Sequence, residues 1–98
     1  MIKIGKDIHD NIIIKYTVDF EKEEIVMETV NYHKEKILIK FDGVLVHYFE
    51  MAMPDSIIFN IDEYEGREVI KEKREKYYII NSSSGLTGWV LAKTMTIL

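Results

Sequence analysis

From Ile12 to Phe20 every second residue is apolar (Ile12, Ile14, Tyr16, Val18, Phe20), and Lys15, Thr17 and Asp19 stand between the later members. Side chains of a strand alternate across the sheet, so a period of two writes one buried face and one solvated face. A strand of this kind needs partners. The charged stretch Glu21-Lys22-Glu23-Glu24 reads as a hairpin connection. Ile25, Val26 and Met27 then restart an extended pattern that runs to about Tyr32, and His33-Lys34-Glu35 makes the next turn. Beyond it Ile37, Ile39 and Phe41 alternate with Lys36, Lys40 and Asp42. The opening of the chain is therefore an antiparallel β-meander.

After the Asp42-Gly43 turn signal the period changes. Leu45, Tyr48, Phe49 and Ala52 lie at i, i+3, i+4 and i+7, which predicts a short amphipathic helix over 43–53, stopped by Pro54. Ser56 to Ile61 alternates again, with Ile57, Phe59 and Ile61 on one side. From Asp62 the acids Asp62, Glu63, Glu65 and Glu68 precede the bases Lys71, Lys73, Arg74 and Lys76. That order suits a helix macrodipole and predicts a second, mostly exposed helix. Tyr77 to Ile80 reads as a strand, Ser82 to Gly88 as a turn, and Trp89 to Ile97 as the last strand.

The expected fold is a single α+β domain over 1–98, with a mainly antiparallel sheet of about six strands. Its order is β-meander, short helix, strand, helix and C-terminal β-hairpin. The expected core is Ile12, Ile14, Tyr16, Val18, Phe20, Ile37, Ile39, Phe41, Phe59 and Trp89. The same parity leaves Ile13, Leu38 and Ile58 on the opposite face. Apolar residues there need cover, and a homodimer through that face or an edge strand is the economical expectation.

Thirteen Lys and Arg stand against seventeen Asp and Glu, a net charge of −4. Such a chain has no general attraction for phosphate backbones or anionic lipid, which sets nucleic-acid and membrane binding aside. The absence of cysteine removes disulfides, thiolate metal ligands and cysteine nucleophiles together. The opening MIKIGKDIHDN has no apolar core of signal-peptide length, and no apolar run approaches a membrane span. A cytoplasmic location is the resulting expectation.

Catalytic patterns fall short of their requirements. His47 and Glu50, one turn apart on the expected first helix, are half of a metal site without a second half. His33 sits in a turn and reads as solvated. His9-Asp10-Asn11 reads as a polar group that fixes entry into the first strand. As a catalytic pair His9 and Asp10 lack a nucleophile. Ser82, Ser83 and Ser84 miss the glycine spacing of a nucleophile elbow, and Gly85-Leu86-Thr87-Gly88 does not lead to the Lys-Ser/Thr of a P-loop. No catalytic, metal or cofactor-binding residue is assigned, and the chain reads as a non-enzyme without a cofactor.

The remaining candidates are a partner-binding surface. Asp19, Glu21, Glu23 and Glu24 cluster at the first hairpin, and Asp62, Glu63, Glu65 and Glu68 at the second expected helix. Together they would attract a basic protein, with Trp89 as an aromatic anchor.

The opening Asp7-Ile8-His9-Asp10-Asn11, the stretch from Ile37 through Gly43-Val44 to His47-Tyr48-Phe49-Glu50, and the closing Ser83-Ser84-Gly85-Leu86-Thr87-Gly88-Trp89-Val90-Leu91-Ala92 cover much of the chain. In these blocks it resembles a loose group of small uncharacterised bacterial β-rich proteins, some of them associated with toxin-immunity loci. The resemblance implies protein binding and transfers no catalytic residue. The first expectation is thus a small non-catalytic protein-interaction module of an immunity-like kind. A structural self-associating domain is the alternative, and a small hydrolase or metal-dependent enzyme the third.

Overall fold

The structure, a computed structural model, describes residues 2–65 and 75–98. It contains nine strands: β1 (Ile2–Ile4), β2 (Ile12–Asp19), β3 (Glu24–Val30), β4 (Lys36–Asp42), β5 (Val46–Glu50), β6 (Ser56–Glu65), β7 (Lys76–Ser84), β8 (Thr87–Ala92) and β9 (Thr94–Ile97). Every pairing is antiparallel, in the order β5-β8-β7-β6-β2-β3-β4-β9, with β1 alongside β6. Short polar turns make this possible. Asn31 Oδ1 accepts from the N–H groups of His33 and Glu35, both at 2.9 Å, and Lys22 N–H donates to Asp19 Oδ1 at 3.0 Å.

The sheet closes on itself. β8 and β9 are parted by Lys93 alone, yet they stand near opposite ends of the strand order. β4 likewise runs into β5 through Gly43, which takes φ +64°. The two bent strands pair along their length, with Lys93 N–H donating to Asp42 O at 2.9 Å and Leu45 N–H to Leu91 O at 2.8 Å between the regular ladders. One segment thus joins both ends of the path, and the result is a small barrel.

Its interior holds Ile25, Met27, Ile39, Phe41, Ile58, Ile61, Tyr78, Ile80, Val90 and Ala92, with Ile8 and Leu86 also buried. Phe41 and Tyr78 meet edge to face, ring centroids 5.6 Å apart. Two buried polar side chains, Asn11 and Thr29, are bonded to each other. Asn11 Nδ2 donates to Thr29 Oγ1 at 3.1 Å, and Thr29 Oγ1 donates to Ile37 O at 2.9 Å.

The fold class departs from the α+β expectation: the described residues contain no helix and are all-β. The segment expected as the first helix contains β5, where Val46, Tyr48 and Glu50 are exposed and His47 and Phe49 half-buried. The helical period rests on Leu45, Tyr48, Phe49 and Ala52, while Val46, Tyr48 and Phe49 are also β-branched or aromatic. A short helix is marginal alone, whereas β-branched and aromatic residues suit a strand once β8 is there to pair with. The second expected helix begins inside β6 and ends inside β7, with Tyr64 opposite Tyr77 and Glu65 opposite Lys76. Its central part, 66–74 with Glu68, lies outside the described residues. Acids followed by bases also suit a hairpin, because the returning strand sets base against acid: Lys76 Nζ is 3.7 Å from Glu63.

The core departs from the expected one in the same way. Ile13 pairs with Thr29 and Lys15 with Glu28, so Ile14 is the extra residue of a bulge. Before it the phase is inverted: Ile13 is 6% exposed, while Ile12 is exposed and Ile14 is 59% exposed. After it Tyr16 and Val18 keep the expected inward side, partly buried against the core. Phe20 stands in the turn, 84% exposed. Phe59 is skipped between the pairs Ile58–Ser82 and Asn60–Asn81, and it too is exposed while Ile58 is buried. Trp89 alternates with buried Val90 and faces outward; Ile39 and Phe41 are core as expected, and Ile37 is partly buried. Ile13 and Ile58, two residues whose exposure motivated a dimer, are therefore interior.

Candidate interaction surface

The register places two rows of side chains across the outside of four strands. In one row Tyr48, Trp89, Ile79 and Asp62 are successive cross-strand partners; in the next, Val46, Leu91, Tyr77 and Tyr64. Their inward neighbours Val90, Tyr78, Ile80 and Ile61 are buried, so both rows face out. The Tyr77 and Trp89 rings stack with centroids 5.3 Å apart and planes 21° apart, and Tyr48 lies 6.4 Å from Trp89. Tyr48 is 51% exposed, and Val46 and Tyr64, at the two ends of the second row, are exposed as well.

Acids close both ends of the Trp89 row. Tyr48 Oη donates to Glu50 Oε2 at 3.2 Å, and this bond pushes the phenol above its ordinary pKa. Opposite, Asn81 Nδ2 donates to Asn60 Oδ1 at 2.7 Å and to Asp62 Oδ2 at 3.0 Å. Tyr48, Glu50, Trp89, Asn81 and Ser82 line a shallow depression of about 450 Å³. Gly88 lets β5 lie close here, since a Cβ on it would run into the Tyr48 carbonyl oxygen.

The two acidic stretches do not merge. β2 and β6 meet only where Ile12 and Ile13 pair with Ile57 and Ser56, and from there the chain runs one way to Asp19 and the other way to Glu65. Glu24 lies 3.6 Å from Lys40, Asp62 3.8 Å from Lys3, and Glu63 is held by Lys76. Burial, and then Glu63, push the Tyr78 phenol well above the ordinary tyrosine range. Asp19, Glu21 and Glu23 have no ion pair among the described residues. With Phe20, Val44, Leu45 and His47 nearby, Asp19, Glu23 and Glu24 border a notch of about 220 Å³. Glu65 is exposed at the end of β6.

The other candidates have structural partners. His9 Nδ1 is 2.8 Å from Phe59 O, and its Nε2 is 3.5 Å from Asp10. His47 faces Phe49 on a strand, so the helical pairing with Glu50 does not arise. Ser82 to Ser84, expected in a turn, close β7, and the turn is Gly85-Leu86 alone. Ser82 Oγ donates to Leu86 O, and Leu86 N–H donates to Ser56 Oγ at 2.9 Å, which ties that turn to β6. Among the described residues no group of three or more His, Asp or Glu could hold a metal ion, and no helix is long and apolar enough to cross a membrane.

Sequence reasoning reached Trp89 but not Tyr48, Tyr64 or Tyr77 beside it. The run Trp89-Val90-Leu91-Ala92 is apolar throughout, so it does not show which residues face out. Only the pairing of β7 with β8 and of β5 with β8 does so. No family model matches the chain, and no curated protein matches it in sequence.

Proposed function

We propose that the chain is a non-catalytic protein-interaction module that binds a basic protein through the aromatic outer face centred on Trp89. The observation that carries this reading is the pair of outward rows, with Tyr48, Trp89, Tyr77 and Tyr64 on the solvent side of a sheet. Large, rigid aromatic side chains dominate binding energy at interfaces, and contiguous apolar patches on a surface mark such sites. Exposed Glu50, bonded to Tyr48 at the end of the Trp89 row, and a net charge of −4 favour a basic partner. An immunity-like role in the cytoplasm, in which the module masks a basic toxin domain, accords with this surface and with the resemblance of the sequence.

Affinity capture from the native host at low salt, followed by mass spectrometry, tests the reading. The parent chain should retain a basic protein that is released by about 0.5 M salt. Tyr48→Ala and Trp89→Ala should lose it while keeping a cooperative melt. Retention that ignores both substitutions, or no basic protein retained at all, would refute the assignment.

A further inference from the structure

β5 pairs with β8 along one edge, and among the described residues no strand lies along the other. β4, which β5 continues, is covered on its far side by β3, and β3 begins at Glu24 opposite Asp42. The last bond on that side is Val44 N–H to Glu23 O at 2.8 Å. Past it, among the described residues, no strand occupies the track of β3 beside Val46–Glu50, and Tyr16 of β2 meets the inward Phe49 ring edge to face, centroids 4.8 Å apart. At the mouth of this track stands the β2–β3 turn, with exposed Glu21 and Glu23, with Asp19, and with the Phe20 ring in solvent. The notch bordered by Val44, Leu45 and His47 joins turn and edge.

We infer that the open edge of β5 receives an extended basic segment of the partner as an additional strand. The inference rests on the basic-partner reading above and names how that partner engages. Main-chain bonds to β5 supply affinity, and alternate side chains supply selectivity. One set lies over Tyr48 and Trp89. The other faces His47 and Phe49, with a Lys or Arg at the end nearest the β2–β3 turn reaching Asp19, Glu21 and Glu23. A second copy of this chain fits less well. Two-fold antiparallel pairing centred on Tyr48 would bring Glu50 of each copy toward the acidic turn of the other, so like charges would meet.

A random dodecapeptide library displayed on phage and selected on the full chain tests this. Enriched peptides should alternate apolar residues with Lys or Arg. A synthetic representative should shift the amide NMR signals of Val46–Glu50 and of the Asp19–Glu24 turn, and slow hydrogen exchange in β5. Glu21→Lys with Glu23→Lys, both at exposed turn positions, should weaken that peptide by about tenfold or more. Basic peptides that need Trp89 but leave the β5 amides unmoved would overturn the added strand while the basic-partner reading stands. Failure to enrich any basic peptide would overturn both. Protection of β5 that grows with protein concentration in the absence of peptide would assign the edge to a second copy instead.

Discussion

Truncating Ile13 and Ile14 separately tests the bulge that sets the phase of the barrel wall. Ile13 is 6% exposed and Ile14 59% exposed. Ile13→Ala removes carbons worth about 0.8 kcal/mol each by transfer, and the cavity left behind raises the loss to about 3 to 4 kcal/mol. Ile14→Ala removes carbons that are largely in water already and should cost about 1 kcal/mol or less. Domains of this size have about 5 to 15 kcal/mol in hand, so both variants stay folded and measurable. In urea, with a slope of about 1.5 to 2 kcal/mol/M, the midpoint should fall by about 2 M for Ile13→Ala and by about 0.5 M for Ile14→Ala. Strict alternation through β2 demands the reverse order. If Ile14→Ala costs as much as Ile13→Ala, the bulge is misplaced and the phase of β2 with it.

Thr29→Val should cost about 1 to 3 kcal/mol, because it leaves Asn11 Nδ2 with only the 3.3 Å bond to Asp7 O in a buried site. Thr29→Ser should recover most of that in the same urea titration, and a valine variant as stable as the parent would refute the buried polar chain. The raised pKa of Tyr78 has a pH signature. The neutral phenol is favoured in the folded state, so its contribution is fully present below the unfolded tyrosine value of about 10 and declines as pH rises beyond it. Between pH 8 and 11 the parent should lose melting temperature faster than Tyr78→Phe, and parallel slopes would show that Tyr78 ionises equally in both states.

The period of two in β4 and in β2 past its bulge, the turn at His33-Lys34-Glu35 and the break at Asp42-Gly43 were legible in the sequence, because each is a local property of a few residues. Ser82, Ser83 and Ser84, expected in a turn, instead extend β7 and leave only Gly85-Leu86 before β8. Which side each strand turns inward was not legible. A period specifies a phase only until a residue is inserted, and the bulge at Ile14 exists because β3 pairs with β2 on both sides of it. Past the bulge Tyr16 and Val18 faced in as expected; before it Ile12 and Ile13 exchanged roles. The segment 46–50 has a helical spacing but strand-forming residues, and the pairing with β8 decided between them. The order of acids and bases after Asp62 was equally ambiguous, since a helix and a hairpin both favour it. The acidic residues and Trp89 could be named from the sequence, but whether they share a surface depends on the stagger of β2 against β6 and on closure through Gly43 and Lys93. Local chemistry chooses the strands of the opening meander and their turns. Only long-range pairing chooses their register, and register decides which side chains face water.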